Sequence, residues 1–396
     1  MAGFFIVFSS YEGMLETMRN GVYSTQVKEG ANGPYPQTAE RILADFASMR
    51  EGDSIFFFSG RQVYGRGVLV NIDGACRRQN FASATELRPG RHEQLRSSLL
   101  FDSGHDGWQR WDSRDKKMVP YSQRWICTFE PDPCYWATGV DMDDLLDSDP
   151  GAFRVVRSMD NATFIKVDDQ EEAAFVKALA RANAGRDDHL VESDGSAHAR
   201  IAERCADSDY GFDFAPLLDR FSDGRVLKHE MLVEATLMKQ IAEREPDTVG
   251  VLSDWHHVSR QVPASPHKPS VWMDQMDLFG YSYLLGYEGR VIGRYFVGEV
   301  KKDAAQPDEV EQLMRYVDWV KDQYADNDYS LITAFLIASD FPQNVIDRVR
   351  EAGRRLYTVR RRPATTTEWR AIELVRYSYE RGSGRLNLEL VPWRDA

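Results

Sequence analysis

The chain of 396 residues carries 49 Lys and Arg against 62 Asp and Glu, a formal net charge of −13, with 42% hydrophobic and 12% aromatic residues. That length provides for two or three cores, and this much apolar and aromatic side chain excludes a disordered chain. No apolar run reaches membrane-spanning length, the start MAGFFIVFSS lacks a basic region and a cleavage site, and Cys76, Cys127, Cys134 and Cys205 form no C-x-x-C pair, so the expectation is a cytoplasmic protein with reduced thiols and no zinc site.

Residues 1–130 alternate strand-like runs (FFIVFSS, SIFFFSG, RWICTFE) with one clear helix, TAERILADFASM. Residues 141–215 then hold eighteen acids against eight bases, which accounts for most of the net charge. Within that stretch, DDQEEAAFVKALARANAG predicts a helix ending at Gly185, its acidic first turn suiting the helix dipole. The polar, Asp- and Gly-rich residues 186–224 read as an acidic linker between a domain over 1–185 and another over 225–396. The second domain predicts a helix over 228–244, a Pro-punctuated loop VPASPHKPS, two strands joined at GYEGR, a helix over 308–324 and the strand SLITAFLIA. Its basic C-terminal extension includes nine arginines against three glutamates from Arg348 to Arg376, with VRRRP at 359–363. Local charge of this kind suits nucleic acid despite the acidic total, although a solvated helix face followed by a strand has the same composition.

One strand breaks the apolar pattern. RYFVGEVKKD, residues 294–303, starts as a buried strand and ends in Glu299 and Lys301, which alternation places on one face with Val300 on the other. The preceding strand MDLFGYSYLL sets Asp277 on one face with Phe279 and Tyr281, and a hairpin brings Asp277 beside Glu299; Asp274, three residues earlier, competes for that position. Isolated buried charges are costly, and two hard oxygen ligands suit Mg²⁺, with the lysine placed to orient an attacking water or help deprotonate it. In HEMLVEATLMKQIAERE, Glu230 and Glu234 share a helix face with Leu237 and Ile241, so either can supply a third acid. In DEVEQLMRYVDWVKDQY, Val310, Leu313, Met314, Val317 and Val320 form a core stripe, Glu311, Arg315 and Asp318 a solvated face, and Gln312, Tyr316 and Trp319 a third face.

This order of acid-bearing helix, Asp277, Glu299-Val300-Lys301 and Gln312 with Tyr316 resembles the PD-(D/E)XK nuclease superfamily over roughly residues 225–340. GEVKKDAAQPDEVEQLMRYVDWV is most similar to its Mrr, RecB-like and NucS-like branches. The resemblance implies a mixed sheet flanked by helices, with Asp277 and Glu299 binding Mg²⁺ (Mn²⁺ can substitute), Lys301 positioning the nucleophilic water, Glu230 supporting the site and Gln312 close to it.

Over residues 1–183, FFIVFSSYEGMLETMRNGVYSTQ, REGDSIFFFSGRQVYGRGVLV, GWQRWDSRDKKMVPYSQRWICTFE and VRSMDNATFIKVDDQEEAAFVKAL resemble successive parts of the YTH domain, of the PUA/EVE-like group. That resemblance implies a β-barrel with helices, α+β in class beside the α/β second domain, and an aromatic cage for N6-methyladenine. Tyr23 stands where the family has its first Trp, Trp108 or Trp111 supplies another wall, Ser24 offers a carbonyl to the methylated amine, and the Ser10-Tyr11 turn reaches the base edge. Modified cytosine is the rival ligand.

Reader plus nuclease implies a modification-dependent DNA endonuclease of the type IV restriction kind, serving phage defence, acting on double-stranded DNA with Mg²⁺ and no nucleotide cofactor, since no P-loop is present. A double-strand break then requires a homodimer or two nicking events. The alternatives are a NucS-like repair nuclease, a nuclease for methylated RNA, and a binding protein without catalysis.

Overall fold

The computed structural model describes residues 3–8, 11–26, 37–79, 109–112, 117–120, 124–130, 134–156, 164–185, 191, 195–205, 211–266, 273–286 and 290–394. The chain divides into two compact units, one of residues 1–153 and 161–213, the other of 154–160 and 214–396. Both mix helices with sheets. None of the described helices is long and apolar enough to cross a membrane.

In the first unit the elements run β1 (Gly3–Phe8), α1 (Tyr11–Asn20), β2 (Val22–Gln26), α2 (Gln37–Ala47), β3 (Ser54–Ser59), β4 (Gln62–Val68), β5 (Arg77–Gln79), β6 (Gln109–Asp112), β7 (Lys117–Pro120), β8 (Arg124–Thr128), β9 (Cys134–Asp141), α3 (Met142–Ser148), β10 (Phe164–Val167), α4 (Asp169–Ala182) and α5 (Ser196–Cys205). The expected runs FFIVFSS and SIFFFSG become neighbouring parallel strands, β1 and β3, at the centre of a sheet ordered β10-β1-β3-β4-β9. Buried on both faces, they read as continuous apolar runs rather than alternating ones. A second sheet, β2-β8-β5, meets the first where Leu69, just past β4, bridges Phe129. Among the described residues these sheets do not close into a ring, so the expected barrel appears as two sheets joined at a corner. The ladder is irregular where β4 meets β9, at Gly65, whose close approach leaves no room for a side chain: a Cβ there would stand 2.1 Å from the Cys134 carbonyl oxygen.

The polar stretch expected to be a linker instead carries structure on both sides of the division. Apolar residues scattered among its acids anchor it: Val191, Ala197 and Ile201 are buried with the first unit, and the His198 ring meets the Gly21 carbonyl at 2.9 Å. Phe212 lies edge-on to Phe46. Phe214 and Leu218, in the second unit, are also buried.

The second unit contains α6 (Ala215–Arg220), α7 (Glu230–Ala242), α8 (Pro246–Leu252), β11 (His257–Pro263), β12 (Gln275–Tyr283), β13 (Ile292–Val300), α9 (Pro307–Gln323), β14 (Ile332–Ala338), α10 (Gln343–Ala352), β15 (Arg355–Arg361), β16 (Ala364–Trp369), β17 (Ile372–Tyr379) and β18 (Leu386–Val391). Its sheet runs β11-β12-β13-β14-β17-β18. The β13–β14 and β14–β17 pairs are parallel and the others antiparallel. β15 and β16 form a separate two-stranded ribbon.

Helix α9 is the crossover between parallel β13 and β14, started by Pro307 and a reciprocal Gln306–Glu309 capping box. Its predicted stripe of Val310, Leu313, Met314, Val317 and Val320 is buried against Phe279, Val297, Ala334 and Leu336. Each such side chain contributes about 1.5–3 kcal/mol on burial, so the crossover fixes where β13 ends. Edge strand β18 is closed on its outer side by Gln240 of α7, whose Nε2 donates to the Leu386 carbonyl at 3.0 Å while its Oε1 accepts from the Leu386 N–H at 2.8 Å.

Candidate active site

β12 and β13 pair antiparallel as far as Leu278↔Gly298, and one step further sets Asp277 across from Glu299. Asp274 precedes β12 and is exposed, so Asp277 is the aspartate brought to the site. Asp277 Oδ2 accepts from the Val300 N–H at 2.8 Å, and Oδ1 accepts from Gln261 Nε2 at 3.2 Å. Gln261 adopts φ 51°, in the left-handed region that side chains rarely take, a local kink inside β11 beside this carboxylate.

Glu299 is fully buried. Its Oε1 lies 2.7 Å from Lys301 Nζ, and its Oε2 has no hydrogen-bond partner among the described residues. Lys301 Nζ also stands 3.6 Å from Glu230 Oε1 and 4.0 Å from Asp277 Oδ2. One ammonium therefore faces three carboxyl groups. Burial, then the Asp277 charge, pushes the Glu299 carboxyl up to about 9, against the opposing pull of Lys301. Asp277 is also raised, by burial first, with Lys301 and the Val300 N–H opposing. Burial pulls the Lys301 ammonium down, but Glu299, Asp277 and Glu230 outweigh it and hold Lys301 above its ordinary range. A lysine so held is a hydrogen-bond donor and a counter-charge to the carboxyl groups around it.

Glu230 opens α7 and is the acid of that helix that reaches Lys301. Glu234, one turn on, is buried and paired with Arg260 at 3.2 Å; burial raises it to about 7 despite that partner. From α9, Gln312 Nε2 donates to the Tyr316 hydroxyl at 2.7 Å. Burial, then the Glu299 charge, raises the Tyr316 phenol above its ordinary value. Asp277, Glu299, Lys301 and Glu230 thus meet at the end of β13, Gln261 joins them through Asp277, and Gln312 is linked to Tyr316 on α9. The Gln261 amide carried no sequence signal, and the strand that holds it, β11, was not among the expected elements.

Among the described residues, no group of three or more His, Cys, Asp or Glu side chains forms a ready metal cage. The donor set still fits a hard divalent cation: two carboxylates on adjacent strands, one with a bare buried oxygen, leave most of the coordination shell to water and substrate, as Mg²⁺ prefers. An unsatisfied buried carboxylate oxygen costs about 1–3 kcal/mol or more, which a bound cation removes.

The first unit presents a different picture from the expected cage. Tyr23 is buried, edge-on to Phe8 at 5.2 Å and Phe164 at 5.4 Å, so it belongs to the core. The cause is β2, which pairs with β8 and turns Tyr23 inward. Ser24 lies opposite Ile126 in that ladder; Trp111 lies in β6 opposite Met118; Trp108 and Ser10 fall outside the described residues. Tyr11 is half-exposed at the start of α1 and shares a hydrogen bond with the Tyr135 hydroxyl. Its ring stands edge-on to Tyr64 at 5.2 Å, and Tyr64 stacks with Tyr135 at 6.3 Å. The sequence did carry a signal for Tyr64: in QVYGRGV it occupies the half-exposed parity of the strand, with Gln62 and Arg66, where a tyrosine is conspicuous.

No family model matches the sequence, and comparison with curated proteins gave no match.

Proposed function

We propose that this chain is a Mg²⁺-dependent DNA endonuclease of the PD-(D/E)XK kind, whose first unit selects a modified base. The observation that carries the reading is Glu299, fully buried with one oxygen unpartnered, next to Asp277 and Lys301 at the end of a central strand. Asp277 and Glu299 hold the cation, which when bound lowers the pKa of a water and offsets charge on the phosphate. Lys301 donates a hydrogen bond to the attacking water and counters the charge that develops on the phosphate. Glu230 holds the Lys301 ammonium from the other side, and Tyr316 with Gln312 limits water access along α9.

N6-methyladenine is the proposed base, with Tyr11, Tyr64 and Tyr135 as the aromatic surface of the first unit. Burying one methyl contributes about 0.8 kcal/mol, roughly fourfold, so a cage alone discriminates weakly. Two chains engaging two methylated bases sharpen that discrimination and also supply the second cut.

The test is cleavage of one plasmid, prepared with and without adenine methylation at GATC, by wild type and Lys301→Ala in Mg²⁺. Cutting confined to the methylated plasmid and lost in the variant is the expected result. Equal cutting of both removes the adenine-reader claim and leaves a repair nuclease; cutting of neither removes the reading for these DNAs.

A further inference from the structure

Among the described side chains, eight arginines from Arg348 to Arg376 divide by pairing. Arg348, Arg350, Arg354, Arg355, Arg370 and Arg376 each have a carboxylate partner. Arg360 and Arg362 have none among the described residues, and both are exposed. Arg360 lies near the far end of the β15–β16 ribbon, and Arg362 forms its two-residue turn with Pro363. From Tyr357 to Thr367 the ribbon contains no acid, in a chain whose net charge is −13.

The root of the ribbon is fixed. Arg355 makes two 2.8 Å hydrogen bonds to the two carboxylate oxygens of Asp318 on α9. The buried Trp369 donates its indole N–H to the Ile332 carbonyl at 2.9 Å, and Tyr357 packs edge-on against Tyr329 at 5.6 Å. Beyond this root the ribbon is bare. Leu356 is 72% exposed and Val359 49%, and Thr358, Thr365 and Thr366 are exposed as well. Two strands of about seven residues extend about 23 Å, and a two-stranded ribbon fits the roughly 12 Å wide major groove.

We propose that the β15–β16 ribbon is a nucleic-acid arm that enters the major groove of duplex DNA, with Arg360 and Arg362 contacting phosphates. Charge complementarity selects this occupant: the free arginines meet the densest regular array of negative charge a soluble partner offers, and the threonine hydroxyls add phosphate-oxygen donors. The exposed Leu356 and Val359 supply apolar contacts of the kind that thymine methyls accept. The proposal shares with the proposed function only its choice of DNA; it requires no hydrolysis.

The experiment uses the full chain and a labelled duplex in EDTA, where binding is read without a divalent metal. Each lost phosphate contact lowers the salt slope by about 0.9, so the log-affinity slope of R360A/R362A is expected to be shallower by about 1.8. Its affinity deficit should then shrink about twelvefold between about 50 and about 200 mM salt. R360K/R362K should keep the wild-type slope, since phosphate contact needs charge rather than a fork. Equal slopes for wild type and the alanine pair overturn the proposal, as does a lysine pair that behaves like the alanine pair, or wild type that binds no duplex. Loss of binding to anionic vesicles with duplex binding unchanged also overturns it, in favour of a membrane surface. A wild type that cuts neither plasmid but shows the expected slopes removes the hydrolytic reading and leaves the arm standing.

Discussion

Both units bury glutamates, and the comparison separates a carboxylate whose oxygens are taken up by the fold from one that keeps a buried oxygen without a partner among the described residues. In the first unit Glu171 is as inaccessible as Glu299, yet its Oε2 accepts from the Asp168 N–H at 3.2 Å in a full capping box at the start of α4. Its neighbour Glu172 accepts from Ser54 Oγ and lies 3.4 Å from Arg66. Glu299 has an ammonium on one oxygen and, among the described residues, no hydrogen-bond partner on the other. Burial alone therefore does not identify a functional acid. What distinguishes Glu299 is burial without completion, in a pocket whose carboxylates outnumber its cations.

That contrast can be broken most directly by activity. Lys301→Ala and Asp277→Asn are expected to slow plasmid cleavage by about 10²–10⁴-fold, while Glu171→Gln leaves the rate within about twofold; comparable losses from all three would erase the distinction. Next comes stability against pH. The Glu299 carboxyl binds its proton more tightly folded than unfolded, so its contribution is fully present below the unfolded value near 4.5 and is lost as pH rises through about 9. Metal-free Glu299→Gln should accordingly melt above wild type at pH 8, by about 2–4 °C per kcal/mol, with the gap closing toward pH 4. Adding Mg²⁺ should raise the wild-type melting temperature and leave the variant unmoved; a gap independent of pH and metal would count against the site. In the first unit the sign is reversed: Asp168→Ala should destabilise by about 1 kcal/mol in denaturant melts, with no metal dependence. An effect of similar size is expected from Tyr316→Phe, which removes the hydrogen bond from Gln312 at a cost of about 0.5–1.5 kcal/mol and reports whether that pair merely packs.

The grouping of side chains at the candidate site in the second unit was legible because strand alternation is strict. Glu299 and Lys301 had to share a face, and of two aspartates three apart only one could join them; the strand that places Asp277 inside leaves Asp274 before its first residue. The choice between Glu230 and Glu234 was not legible, because both lie on one helix face and only the position of β13 brings Lys301 to the helix start. Tyr23 illustrates the opposite failure. An aromatic in a strand is equally compatible with a cage and a core, and its neighbours Phe8 and Phe164, distant in sequence, settle the matter. The acidic stretch misled through its average composition, since a few buried apolar residues suffice to dock it. The run VRRRP suggested charge but not shape; the partner strand ATTTEW, three of whose first four residues are β-branched threonines, carried the missing cue.

The clamp of Gln240 on Leu386 has a consequence for how the molecule behaves in a crowd. The open rim of a sheet invites a second chain to zip on, and the first rung of β18 that faces outward is already taken by a side-chain amide imitating a peptide group. A neighbour adding itself there must first strip that amide, which Thr248 holds by a further hydrogen bond at 2.8 Å. The glutamine occupies that rung, and Gln240→Ala is expected to increase light scattering as concentration rises.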